Sequence, residues 1–453
     1  MAATASPAFA QVSKPWNTLR VLRASLFGLI GLDLLLLAVC VTGARVHREG
    51  MQTVGRDSAP SILAAQKIKT SLADMDASLA SDLLAPSTEA SMAARGEYEQ
   101  RRREATQALV DAAQNITYGR EERDPIERLQ LQLGVYEARA QRALDLHDAH
   151  NPAALAAYDE AASLLNNVLL PAADELDAVN SRHLETSYAS QGAWRVAARA
   201  TVLFAGLALL AALLWLQSFL TDRTRRILNL PLLGATLIAL ALMMWALTVF
   251  GTEERQLKIA KRDAFASMHI LWQARAAAYS ARGDEVRFLL GSPGSAKAGD
   301  DFFRKVDSLL VPPSGSSLSR VIEDARDGKA SGMADYFADE LNNITFRDER
   351  ESAVLAMQGF AEYLEMDRRL RELESSGRHA QAIALSEGDA KQVFARFDDA
   401  LGQTTAINRR AFDMAIRTGF EALSNFDAKA AAAAALIALL VMAGLMQRIA
   451  EYR

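Results

Sequence analysis

One cysteine, Cys40, is all that this 453-residue chain carries. No intramolecular disulfide can therefore staple it, and cysteine usage says nothing of its redox compartment. The histidines His47, His147, His150, His183, His269 and His379 include no pair at metal-ligand spacing with thiolate or carboxylate company, so no metal is expected. A nucleophile elbow of the Gly-x-Ser-x-Gly type is missing. The glycine-bearing stretch 291–299 holds Lys297 but lacks the Gly-Lys-Ser/Thr ending of a phosphate loop, and it reads as a loop. Catalysis and cofactors are accordingly not expected. No run alternates with period two for long enough to make a strand. The net charge of −5 gives no reason to expect nucleic acid.

What the chain does have is long apolar runs. Four are long enough to cross a hydrocarbon core of about 30 Å, which takes about 20 helical residues. They fall at residues 21–44, 195–220, 227–250 and 429–446. Backbone polar groups in lipid must be satisfied within the segment, so each run must be a helix. The first is too long for the core of a cleaved signal and reads as a retained anchor.

Orientation follows from the short connections, where Lys and Arg mark the cytoplasmic side. Lys14, Arg20 and Arg23 precede the first crossing; Arg223, Arg225 and Arg226 crowd the turn between the second and third; Arg448 and Arg453 follow the fourth. Both termini (1–20 and 447–453) and the turn 221–226 are thus expected in the cytoplasm, and 45–194 and 251–428 outside. The cell membrane is the expected location.

The two outer segments are copies of one another. Gln114-Asn115-Ile116-Thr117-Tyr118 is echoed by Asn342-Asn343-Ile344-Thr345-Phe346, Tyr136 by Tyr363, Arg142 by Arg369, and Leu83-Leu84 by Leu289-Leu290. The polar break His150-Asn151-Pro152 answers to Ser376-Gly377-Arg378. Both Asn-Ile-Thr triplets fit a glycosylation sequon, but their equivalence favours a structural turn. From Leu290 to Asn343 the second copy carries about 22 residues more than the first, and the helix order puts this insertion at the end farthest from the membrane.

Apolar residues alternately three and four apart, as in Ile68, Leu72, Met75 and Leu79 or Tyr363, Met366, Leu370 and Leu373, mark helices packed along a seam. Breakers at Pro86, near Asp124-Pro125 and at Asn151-Pro152 divide the first copy into four helices. The expected fold is all-α: an integral membrane protein with four transmembrane helices and two duplicated extracytoplasmic four-helix bundles. The outer helices of the first bundle should run straight into the crossings, with a kink at Pro171.

Candidate functional residues follow from this layout. Ser292, Pro293, Pro312 and Pro313 in the turn-rich insertion, with His147 and His150 at a distal turn, are candidates for binding an outer partner. Arg223, Arg225, Arg226 and Arg448 are candidates for a cytoplasmic relay. Asp33, midway through the first crossing, is costly unless it faces other helices, and it either pairs in the membrane core or fixes packing.

The cytoplasmic pieces are too short to fold into an effector. A message arriving from outside would leave through a separate protein, possible homo-oligomerisation aside. Crossing, four-helix bundle, crossing resembles the sensory half of chemoreceptors and histidine kinases, without their cytoplasmic modules. The doubled arrangement and the ending Arg448-Ile449-Ala450-Glu451-Tyr452-Arg453 resemble the GlnX-type four-pass membrane component of actinobacterial amino-acid sensing. That resemblance implies a solute-binding lipoprotein outside, loaded with aspartate, glutamate or glutamine, and a soluble kinase (protein kinase G) inside. The expected function is a non-enzymatic signalling subunit. An envelope scaffold or a direct small-ligand receptor is the alternative, and a transporter accessory is disfavoured because the crossings are smooth Leu/Ala helices.

Overall fold

The computed structural model describes residues 18–224, 229–329 and 335–451, and among them all regular structure is helical. The first half comprises α1 (Thr18–Gln52), α2 (Ala59–Leu84), α3 (Thr88–Gln114), α4 (Arg120–Asp148), α5 (Ala154–Leu164) and α6 (Leu170–Thr224). The second comprises α7 (Leu230–Lys258), α8 (Ala266–Leu289), α9 (Ser295–Leu309), α10 (Leu318–Arg326), α11 (Tyr336–Asn343), α12 (Glu349–Ser375), α13 (His379–Leu385), α14 (Lys391–Ala422) and α15 (Phe426–Glu451).

The chain divides into two compact units. One gathers residues 1–48, 191–254 and 421–453; the other gathers 49–190 and 255–420. The first unit holds the four apolar helical stretches that are long enough to cross a membrane. Its interior is lined by Leu29, Leu36, Cys40, Leu209, Leu213, Ala239, Ile437 and their neighbours. Its outer faces carry Phe27, Phe204, Leu214, Leu237 and Leu439 in the open. Such a continuous apolar exterior is stable only when lipid covers it. The protein is a multi-pass membrane protein.

Both outer segments fold into the second unit together, so the two bundles expected from the sequence share one body. Each keeps its own core: Leu72, Leu79, Leu129, Tyr136 and Leu169 in the first half, and Phe302, Phe360, Tyr363, Phe397 and Leu401 in the second. The halves meet along α2 and α8, where small residues permit close approach. A Cβ placed on Gly283 would lie 3.8 Å from the Cβ of Ala77.

The duplication is exact in its turns. Asn115 donates its side-chain amide to the Asp57 carbonyl (2.7 Å) and the Ser61 hydroxyl (2.7 Å), and Asn343 does the same to Asp263 (3.0 Å) and Ser267 (2.9 Å). The Glu122 carboxylate accepts from the amides of Thr117 and Tyr118 (2.6 Å each), and that of Glu349 from Thr345 (2.8 Å) and Phe346 (2.9 Å). Both Asn-Ile-Thr triplets are therefore turns whose asparagine amides point inward. Each satisfies groups that a turn between helices would otherwise leave bare.

At the opposite end each half closes a helix with the same bond pattern. The Arg378 amide reaches back to the Leu373 carbonyl (2.9 Å), with Gly377 at φ 73°, and the Asn151 amide reaches the Leu146 carbonyl (2.8 Å), with His150 at φ 55°. This Schellman closure needs a left-handed residue, which glycine adopts freely and histidine at a cost.

Two departures from the sequence reading concern helix continuity. Alpha-helical hydrogen bonding is interrupted by π-helical stretches at equivalent places, Thr53–Ser58 and Ile259–Phe265, and again at Leu165–Leu169 and Ser386–Ala390. The third of these directly precedes Pro171, whose missing N–H and bulky ring exclude a regular α-helical bond there. Pro125 lies inside α4 rather than at its start; the helix begins at Arg120, behind Gly119 at φ 70°.

The insertion also runs differently from expectation. Where the first half uses one helix, α3, the second uses α9, α10 and α11, laid along the flank of α8 and α12. Lys305 bonds to the Ser280 carbonyl (3.3 Å) and Arg350 to the Ala325 carbonyl (3.1 Å). Arg350 is one helical turn from the Asn-Ile-Thr turn, so the insertion reaches from the far end down toward the end where the chain enters the unit.

Candidate functional site

The expected tip residues are spread out. Ser292 is buried, and its hydroxyl donates to Asp159 of the first half (2.9 Å). Pro293 beside it is exposed, and His147 and His150 stand at the far end with His150 serving the helix closure. Pro312 and Pro313 follow α9 and precede α10, which places them partway down the flank, away from the far end. The flank position follows from Asp335, which accepts from the Val311 amide (2.9 Å).

Of the expected relay residues, Arg223 falls within α6 and Arg448 in the last turns of α15. Arg225 and Arg226, with Lys14 and Arg453, lie outside the described residues. Asp33 is 2% exposed and shares the inward face of α1 with Leu29 and Leu36; its Oδ1 has no hydrogen-bond partner among the described residues. In the same unit, His47 and Glu253 form a buried pair through Nδ1 and Oε2, with the imidazole stacked on Phe250 at 4.5 Å.

The feature that sequence reasoning missed lies between the halves. A pocket of about 300 Å³ opens where α2 and α3 of the first half face α8 and α14 of the second. Its walls include Asp74, Arg101, Tyr279, Arg282, Phe394 and Asp398. That volume sits at the small end of the range for ligand pockets. The site mixes aromatic surface with charges that are mostly paired within their own half, with one pair crossing the boundary. Arg101 from α3 pairs with Asp74 and, at 2.8 Å, with Glu104. Lys391 pairs with Glu97 (2.8 Å), linking α14 to α3. Asp398 accepts from Arg275 (2.6 Å) and from the Tyr279 hydroxyl (3.0 Å).

Burial lifts the Asp74 carboxyl to about 6, against the pull of Arg101. Displaced ionisation of this kind in a cleft is a mark of functional sites. Ionic groups from both halves converge here, so any occupant would touch both. On the other side of α2 and α8 a second network seals the interface. Arg287 pairs with Asp76 and Asp284 and donates to the Tyr158 hydroxyl (3.2 Å). Neither pocket nor network has a signal in the linear sequence, because both need residues more than 200 positions apart.

Residues 50–189 match a family model described as the actinobacterial sensor domain. This first half resembles a sensor. That match coincides within a residue at each end with the first segment of the outer unit, 49–190. The sensor-like half is thus the one bounded by the first and second apolar stretches. No curated protein and no solved structure matches the chain.

Proposed function

We propose that the chain is a non-enzymatic transmembrane signalling subunit that senses an extracytoplasmic solute and relays its state to a cytosolic partner. The observation that carries this reading is the polar pocket between the duplicated halves, in a unit whose first half resembles a sensor domain. A ligand there contacts α2, α3, α8 and α14 at once. It shifts the equilibrium between arrangements of the halves only by its differential affinity for them. The π-helical stretches at Thr53–Ser58 and Ile259–Phe265 lie along the chain directly between the apolar stretches and two of those helices, α2 and α8. Such stretches recur where helices adjust register.

The pocket favours direct sensing over a purely scaffolding role. A solute-binding lipoprotein at the exposed far end around Pro293, His147 and His150 is the accompanying outer partner. A soluble kinase touching the short Arg-bearing pieces, Arg223, Arg225, Arg226 and Arg448, is the inner one. In this reading both termini face the cytoplasm.

Crosslinking in native membranes followed by mass spectrometry tests the partners: a secreted solute-binding protein on residues 49–190 or 255–420 and a soluble effector on 221–229 or 447–453 are expected. Single-cysteine labelling of a Cys40→Ala background tests the sidedness. A cysteine at 148 that reacts only after the cell is opened would overturn the sensor reading.

A further inference from the structure

The two halves differ on one exposed helix face. Tyr136 and Tyr363 are equivalent and fully buried, so α4 and α12 correspond residue for residue around them. Leu131, Gly134, Val135 and Ala138 of α4 therefore answer to Gln358, Ala361, Glu362 and Glu365 of α12. In the second half this face is polar, and Glu362 and Glu365 pair with Arg396 (3.2 Å) and Arg368 (2.5 Å). In the first half it is apolar and open: Leu131 is 70% exposed and Val135 40%, and Gly134 and Ala138 are exposed beside them. The fold does not need apolar residues there, because the second half folds without them.

A spacing of three, four and seven residues is that of a helix face packed on another helix. Glycine inside a helix costs stability, and a Cβ on Gly134 would meet nothing within 4 Å. Nothing in the chain itself uses its smallness, whereas a helix from another molecule can approach closely there. Beside the stripe lies an open cleft of about 490 Å³ between α3 and α4, lined by Leu109, Val110, Ile126 and Leu133. Val110 is 43% exposed. The second half has α10 along the flank of α12, and Met357 is buried there while its counterpart Gln130 is exposed.

The charges around the stripe identify its occupant. Arg128 and Arg142 bracket it on α4, while Asp111 and Glu99 stand exposed on α3. Within one copy Arg102 of α3 is level with Glu137 of α4 (3.8 Å), and Arg95 with Asp148 (2.7 Å). By that register Arg128 is level with Asp111, Leu131 with Val110, and Arg142 with Glu99. Copies anchored in one membrane cannot turn end over end, so level residues meet when two stand side by side. Each α4 then sets its two arginines against Asp111 and Glu99 of the other copy, with Leu131 on Val110 between them. The face is complementary to itself.

We propose that the α3/α4 face of the first half docks a second copy of this chain in a two-fold pair. It is separate from the α2–α8 contact that joins the halves within one chain. Only one half carries the face, so the contact closes at two copies and does not grow into a filament.

The test uses the full chain in liposomes, with labelled copies counted by single-molecule photobleaching over a range of protein-to-lipid ratios. A monomer–dimer equilibrium is expected. Leu131→Gln with Val135→Glu gives the first half the residues of the second and places an unpaired charge in the contact. It should weaken pairing at least tenfold and leave the thermal unfolding of the detergent-solubilised monomer unchanged. Arg142→Glu should weaken pairing, and adding Glu99→Arg should restore it. In a Cys40→Ala background, a copy carrying Val110→Cys should form a disulfide with a differently tagged copy carrying Leu131→Cys, and none with one carrying Gln358→Cys.

Single copies at every density overturn the proposal, as does a pair that survives Leu131→Gln with Val135→Glu. Failure of the charge swap to restore pairing, or a disulfide through Gln358→Cys, overturns the register. A different protein crosslinked at Leu131→Cys in native membranes, with the chain itself single, gives the face to another partner and overturns the second copy.

Discussion

The two halves of the non-membrane unit share turns, closures and π-helical stretches, yet differ in how much each element is asked to do. The first half builds its second helix in one piece, Thr88–Gln114. The second reaches the same turn through α9, α10 and α11. Extra chain is tolerated there because the flank of α8 and α12 offers apolar surface for Phe302, Leu309, Val321 and Phe337. The halves differ again on leaving: α6 runs unbroken to Thr224, whereas α14 and α15 are separated at Leu423–Asn425, with Asn425 at φ 54°. Duplication thus preserved the fixed points and let charge and continuity diverge.

The largest test of that divergence concerns the crossing. Asp76→Leu leaves the buried Arg287 guanidinium with Asp284 as its one carboxylate and should cost about 3 kcal/mol, read as thermal unfolding of the purified protein. Arg282→Met at the equivalent position removes no hydrogen bond from Nη1 or Nη2 but takes the nearest opposite charge from the buried Glu285, and should cost less than that. Equal losses would mean that the two positions are not opposites.

The turns should respond in parallel but unequally. Glu122→Ala and Glu349→Ala each strand two turn amides, at about 1–3 kcal/mol. Glu349 additionally accepts from Asn408 (2.6 Å), so the second-half loss should be the larger. Melting curves of the two variants that reversed this order would break the comparison.

A pH scan isolates a group found in the second half alone. Burial, reinforced by the Glu349 charge, lifts Glu340 to about 8, while its counterpart Ala112 cannot titrate. The folded state keeps a proton there that the unfolded chain has released. Its stabilising contribution is full below about 4.5 and is lost as pH rises through about 8. Glu340→Gln should flatten that decline in the melting temperature; an unchanged slope would assign it to another group.

The smallest effect is expected at the helix closures. His150→Gly gives the first half the residue that the second already has at Gly377, and should stabilise by up to about 1 kcal/mol. A loss in melting temperature would show that the histidine ring does something the closure does not need.

Much of this was legible in the linear chain. Hydrophobic runs fix the four membrane stretches, and paired motifs such as Asn115-Ile116-Thr117 and Asn343-Ile344-Thr345 fix the duplication. The three-helix form of the insertion was not legible, because helices as short as Leu318–Arg326 are held by packing rather than propensity. The expected outer-partner residues failed to gather for a similar reason. Pro312 looks like a tip only until α9 is seen to descend along α8.

The sequence by itself determined which segments are apolar enough for lipid, that the outer mass is helical, and that it is built twice. Those properties are periodic and local, so they survive being read one residue after another. Only the tertiary structure decided that the two copies form one unit, that Ala77 and Gly283 let α2 and α8 touch, and that Arg287 meets Asp76. Whether a charge is answered depends on what folding brings against it, and here the candidates lie half a chain apart.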